Sequence, residues 1–175
     1  MEQENTATAI RRQWRVFYTQ SRAEKQCESR LVQREIDVFL PKCEVVRQWK
    51  DRKKKVIEPL FRNYIFACVD EQDRLRVLKT PGIVRCVSFG GAPALVDTAE
   101  VEQLKIAQQD PARLRLVDAP LPSLGKTVTI TDGPLRGLRG EVAQHRGLYH
   151  IILRVTAIQR AVRVHVPAAW VEPDR

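Results

Sequence analysis

Nine consecutive residues, Arg47 to Lys55 (RQWKDRKKK), carry six cations against one carboxylate, with Trp49 among them. Ammonium and guanidinium groups at this density neutralise phosphates, and an indole beside them offers a face for base stacking. The competing reading is a solvated hairpin tip whose Trp packs on its own sheet. Six cations on one tip repel one another, and charge that costs stability serves a partner, so Arg47, Trp49, Lys50, Arg52, Lys53, Lys54 and Lys55 are the candidate nucleic-acid-binding residues. A second cluster is aromatic: Phe17, Tyr18, Phe61, Tyr64, Phe66 and Phe89 account for six of only 11 aromatic residues. Core packing is their default role, but a sheet has two faces, and an aromatic face left uncovered is a partner site. The segment Asp132 to Gly140 (DGPLRGLRG) is rich in glycine but lacks the order of a phosphate-binding loop and precedes no predicted helix. It reads as tight turns in which Gly133, Gly137 and Gly140 supply positive φ or close backbone approach. The histidines His145, His150 and His165 have no metal-ligand spacing, and Cys27, Cys43, Cys68 and Cys86 form no CxxC pair and read as buried reduced thiols. No nucleophile-base or paired-carboxylate arrangement follows from spacing, so no catalytic residue, metal or cofactor is expected, and a binding protein is.

The elements that must hold these residues follow from periodicity. Trp14 to Thr19 suits a strand, and Ser21-Arg-Ala-Glu24 has the form of a capping box ahead of an amphipathic helix to about Arg34. A strand is expected at Asp37 to Leu40, then a hairpin with arms Cys43 to Trp49 and Lys54 to Leu60 around a charged tip. Asn63 to Val69 is apolar at both parities, the mark of a strand covered on both faces. Helices at Glu71 to Lys79 and Asp97 to Gln109 flank a strand at Ile83 to Phe89, giving an α+β unit whose three helices leave open whether both sheet faces are covered. Proline-containing residues 110–122 read as a linker. Beyond them Thr127 to Thr131 and segments 141–145, 148–155 and 161–166, split by Arg146-Gly147 and by Ala157 to Arg160, predict short strands closing a small β-barrel and no helical state. The expected organisation is a disordered N-terminus at 1–12, an α+β domain at 13–109, a linker at 110–122 and a barrel at 123–175.

At 175 residues the chain allows one domain or two small ones, and its 43% hydrophobic content excludes wholesale disorder. No apolar run approaches a membrane span and Met1 to Arg12 has no signal-like apolar region, so a cytoplasmic protein with no membrane contact is expected. The net charge of +9 points to nucleic acid or a nucleic-acid machine. Residues 1–110 contribute 20 cations and 16 anions, and the nine-residue basic segment more than accounts for that surplus.

The first half resembles the N-terminal domain of NusG-type transcription factors through WRVFY (Trp14 to Tyr18), SRAE (Ser21 to Glu24), FLP (Phe39 to Pro41), EPLF (Glu58 to Phe61), NYIF (Asn63 to Phe66), PGIV (Pro81 to Val84) and FGGAP (Phe89 to Pro93). The second half resembles the KOW domain, an SH3-like barrel, through Gly125, Val128, Ile130, GPL (Gly133 to Leu135), Gly137, Gly140 and a closing Val166 to Glu172. The basic segment followed by EPLF is similar to the specialised paralogues, RfaH and above all the UpxY-type antiterminators of polysaccharide operons. Phe61-Arg-Asn-Tyr64 stands where housekeeping members have Phe-Pro-Gly-Tyr. The resemblance implies a non-enzymatic, monomeric elongation and antitermination factor. It would bind the β′ clamp helices of RNA polymerase through Tyr18, Phe61, Tyr64, Phe66 and Phe89 and bridge to the opposite side of the cleft, with the basic segment meeting upstream or non-template DNA. The His-Thr-Thr element that RfaH uses on the far side has no counterpart near Arg74 to Lys79. In the KOW half it implies binding of Rho or a small-subunit ribosomal protein at Pro134, Leu135 and Arg136. The alternative is an RNA-binding or ribosome-associated KOW protein.

Overall fold

The computed structural model describes residues 11–117, 125–145 and 148–174. Most of the expected disordered N-terminus, the second part of the expected linker and the Arg146-Gly147 turn lie outside these.

The first half runs β1 (Gln13–Thr19), α1 (Glu24–Gln33), β2 (Asp37–Phe39), β3 (Lys42–Gln48), β4 (Lys53–Pro59), β5 (Tyr64–Val69), α2 (Glu71–Leu78), β6 (Ile83–Cys86), β7 (Ser88–Phe89), β8 (Ala92–Pro93) and α3 (Thr98–Ala107). Strands β2, β5, β1 and β6 pair in that order into an antiparallel sheet. The strand that is apolar at both parities, β5, is central. Its Ile65, Ala67 and Val69 join Phe17, Cys27, Leu31 and Val77 in a core with α1 and α2, whereas Phe66, with Trp14, Val16 and Phe39, belongs to a second core with Val101, Leu104 and Ala107 of α3. Strand alternation explains the division, since the register Val16↔Phe66 and Phe17↔Ile65 places alternate residues on opposite faces. Phe17 therefore leaves the expected aromatic cluster for the opposite face.

The capping box does not form. Arg22 takes a left-handed conformation at φ 63°, the helix starts after Ala23 with no side-chain cap, and the Glu24 carboxylate instead accepts the backbone N–H of Asn63 at 2.7 Å. The other two helices are capped as their residues dictate: Asp70 accepts from the Asp73 amide at 2.8 Å and Asp97 from the Ala99 amide at 2.8 Å.

Within the stretch expected to link the halves, Pro111–Arg113 form a 3₁₀ turn and β9 (Leu114–Leu116) is a strand. The second half continues with β10 (Thr127–Ile130), β11 (Arg139–His145), β12 (Leu148–Val155), β13 (Arg160–Val166) and β14 (Val171–Pro173). No α-helix occurs among its described residues. Among the described residues the strands pair into a six-stranded antiparallel sheet, ordered β14-β10-β11-β12-β13-β9, and no pairing of its two outer strands closes it into the expected barrel. The physical reason is at one edge: β13 takes β9 as its outer partner through Val164↔Leu114 and Val162↔Leu116. Leu114 is fully buried, and the core that contains Trp14, Phe66 and Leu104 continues through it into Ile130, Leu153 and Val164. Side chains tie the halves as well, with the Thr156 hydroxyl donating to Glu100 at 2.6 Å and the Arg139 amide to Gln103 at 2.6 Å.

All four cysteines are free, and burial raises the thiol pKa of each above its ordinary value. At pH 8 the native protein is expected to react slowly with a thiol reagent such as DTNB and to release all four equivalents once unfolded in denaturant. A rapid native burst would show a thiolate that this packing does not allow.

Candidate functional site

Tyr18 on β1 and Tyr64 on β5 face each other across the sheet, their rings edge to face with centroids 5.4 Å apart. Both are half-buried, and the Arg85 guanidinium lies 5.5 Å from the centre of the Tyr18 ring. At the other end of the same face Trp14 and Phe39 sit under Lys105 of α3, 4.9 and 6.0 Å from its ammonium. Helix α3 thus covers the Trp14–Phe39 end of the aromatic face, and Tyr18 and Tyr64 stand half-buried at the other end. Phe66 lies between, its ring 6.1 Å from Phe61 and 6.4 Å from Phe39.

Of the residues expected to meet a protein partner, Phe61 and Phe66 are fully buried, Tyr18 and Tyr64 are half-buried and Phe89 is 55% exposed. Phe89 sits on β7, outside the four-stranded sheet. A groove of about 440 Å³ runs past Phe61 and Tyr64, bounded on one side by Cys43 and Val45 of β3 and on the other by Leu116 and Arg160 of the second half. Neither Leu116 nor Arg160 is signalled by the sequence, because each is brought to the groove by the pairing of β13 with β9.

The basic segment forms the expected hairpin. Strands β3 and β4 pair from Lys42↔Pro59 to Gln48↔Lys53, and the Trp49 amide donates to the Arg52 carbonyl at 2.8 Å to close the tip. Trp49 is half exposed, and its ring lies 5.3 Å from the ammonium of Lys54 on β4 of the same hairpin. The six cations differ in their partners. Arg47 makes a two-pronged bond to Glu58, at 2.9 and 2.7 Å, and Lys55 pairs with Glu44 at 3.1 Å. Lys50, Arg52 and Lys53 have no ion-pair partner among the described residues. The hydrogen bond from Arg47 holds the Glu58 carboxyl below its usual range.

In the second half Pro134 and Arg136 are exposed, while Leu135 is fully buried in the core and presents no side chain to a partner. The turn around them is held by the Gly137 amide donating to Ile130 O at 2.8 Å and the Leu138 amide to Leu135 O at 3.0 Å.

A family model described as "Transcription termination factor nusG" matches residues 12–105, more than half of the chain. Among solved structures, one described as "Domain interaction in Thermotoga maritima NusG" matches with a TM-score of 0.50 at 20% identity, covering 95% of this chain and 99% of that one. Another, described as "Crystal Structure of MjSpt4:Spt5 complex conformation B", has a TM-score of 0.31 at 16% identity, covering 91% of this chain and 95% of that one.

Proposed function

Since the chain belongs to the NusG family of transcription factors, we propose that it is a non-enzymatic elongation and antitermination factor that binds RNA polymerase at the β′ clamp helices and suppresses pausing or termination. The observation that carries this reading is the half-buried Tyr18–Tyr64 pair, an aromatic surface at the end of the sheet away from Trp14 and Lys105 of α3. Tyr64 and Tyr18 are the contact residues and Phe61 and Phe66 the packed floor beneath them, while Phe89 is an exposed ring on β7, outside the four-stranded sheet. A ligand that prefers the closed clamp to the open one shifts polymerase toward the closed state by its difference in affinity. The exposed cations Lys50, Arg52, Lys53, Lys54 and Lys55, with Arg47 at their root and Trp49 at the tip, meet upstream or non-template DNA. Their likeness to the basic segment of UpxY-type factors supports service to a specific, polysaccharide-type operon. The second half acts as a KOW-type module whose exposed Pro134 and Arg136 engage Rho or a small-subunit ribosomal protein.

Tyr64→Ala tests the surface. An aromatic anchor at an interface contributes about 2 kcal/mol, so its loss is expected to weaken binding to core polymerase roughly 30-fold. Circular dichroism and the urea midpoint report that the variant is folded. Unchanged affinity in a folded Tyr64→Ala variant removes this face from the interaction.

A further inference from the structure

A cleft of about 630 Å³ opens between the β1–α1 turn, the start of α1, the root of the basic hairpin and the turn between β4 and β5. Four cations line it, Arg22, Lys25, Arg47 and Arg62, against two carboxylates, Glu24 and Glu58. Both carboxylates are already engaged inside the protein. Glu24, buried, accepts the Asn63 amide at 2.7 Å, and Glu58 accepts from Nε and Nη2 of Arg47. Lys25 donates to the Ile57 carbonyl at 2.6 Å, a neutral acceptor, and lies near enough to Glu58 to help hold that carboxyl below its usual range. Arg22 and Arg62 are exposed and have no ion-pair partner among the described residues.

The backbone beneath these arginines is unusual. Arg22 is held at φ 63° and Asn63, next to Arg62, at φ 67°, and the two turns are tied together by the Glu24 and Thr19 bonds to Asn63. Asn tolerates the left-handed region, whereas arginine adopts it at a cost that glycine would remove. A cation kept at such a position, at the mouth of a cationic cleft, points to a ligand.

We propose that this cleft binds the phosphodiester backbone of a nucleic-acid strand that continues onto the basic hairpin, with Arg22, Lys25 and Arg62 neutralising phosphates and Arg47, held by Glu58, marking where the cleft meets the hairpin. The inference rests on the hairpin being a nucleic-acid contact and is independent of the polymerase-binding face. Continuity identifies the ligand. Arg47 belongs both to the cleft wall and to β3, which ends at Gln48, and Lys50 lies in the turn that follows it. A compact anion meets one or two of these cations, and only a polyanion spans them all.

Fluorescence anisotropy on the full chain, without polymerase, tests this with three labelled probes of mixed sequence: single-stranded DNA of about 12 nucleotides, duplex DNA, and an RNA hairpin. On the probe that binds tightest, Arg22→Gly and Arg62→Gln are each expected to weaken affinity several-fold. Each is also expected to flatten the dependence of log K on log salt by about 0.7 on a single strand or about 0.9 on a duplex. Arg22→Gly should keep or raise its unfolding midpoint, because glycine accepts φ 63° without strain. Lys126→Gln, which removes an exposed cation elsewhere, should leave binding unchanged. The proposal falls if the wild-type protein binds none of the probes. It also falls if both arginine variants bind as the wild type does with an unchanged salt slope, and a Lys53→Gln/Lys54→Gln variant that then still loses affinity leaves the hairpin as the sole contact. Displacement of the strand by inorganic phosphate at equal phosphate concentration would reduce the cleft to a small-anion site and overturn it as well.

Discussion

Phe66→Ala is expected to lower unfolding stability by about 3–5 kcal/mol, measured as a drop in the urea midpoint at an unchanged m-value. Phe66 has no exposed surface and is packed by Val16 and Phe39 as cross-strand partners and by the rings of Phe39 and Phe61. The core it belongs to also contains Leu104 of α3 and Leu114 of β9, so truncation leaves a void where the sheet, the roofing helix and the second half meet. Proteins of this kind have about 5–15 kcal/mol in all, and a loss of this size partly unfolds the chain at physiological temperature. Weakened polymerase binding by this variant would therefore report on folding rather than on contact. That overturns the use of Phe66 as a surface probe, which its place in an aromatic strand invites, and leaves Tyr64 as the informative position. A loss below about 1 kcal/mol would mean that Phe66 is not packed as the structure has it.

Gly133→Ala carries the second large effect, about 2–5 kcal/mol. Two costs add. The residue sits at φ 72°, where any side chain other than hydrogen costs roughly 1–2 kcal/mol, and a Cβ there would lie 2.5–2.8 Å from three carbons of the Trp170 ring, an overpacking that costs about 1–3 kcal/mol. The indole has little room to retreat. The Arg113 guanidinium lies 5.1 Å from its centre, and the Trp170 carbonyl accepts the Thr131 amide at 3.0 Å just before β14 pairs with β10. Gly137→Ala separates the two costs. It has φ 87° but open space where the Cβ would go, so only the backbone penalty of about 1–2 kcal/mol is expected. Equal losses in the two variants would show that the Trp170 contact contributes nothing. Gly140 is different again, since a Cβ there meets the Ile151 side chain at 2.5 Å and the Ile152 carbonyl at 2.9 Å, close approach rather than torsion.

These glycines show what a sequence conveys well. A DGPLRGLRG segment between alternating strands announces tight turns, and all three glycines stand where a side chain would be strained or would collide. The capping-box motif at Ser21 to Glu24 was misleading because its residues are spoken for elsewhere: the left-handed Arg22 delays the helix and the Glu24 carboxylate is drawn to Asn63, 39 positions on. The split of the aromatic residues was half legible. Alternation places Tyr18, Tyr64 and Phe66 on one face and Phe17 and Ile65 on the other, yet it does not say how far along that face a roofing helix reaches. The closed barrel failed for the same kind of reason, since a short apolar-basic segment after Pro111 has no period of its own and becomes a strand only because β13 offers an edge.

By itself the sequence determined most of what depends on neighbours a few residues apart: the three helices of the first half and most of the strands, the opposite parities of β1 and β5, the hairpin with its charged tip, and, through the order of its motifs, the family. The tertiary structure alone decided which aromatic rings are floor and which are surface, and that Arg22, Lys25, Arg47 and Arg62 share one cleft. It also decided that Leu114 joins the two halves in one core. Side-chain direction is a local property fixed by φ, ψ and strand parity, whereas burial and the convergence of charge depend on which distant segments pack together, and no short window of residues contains both partners.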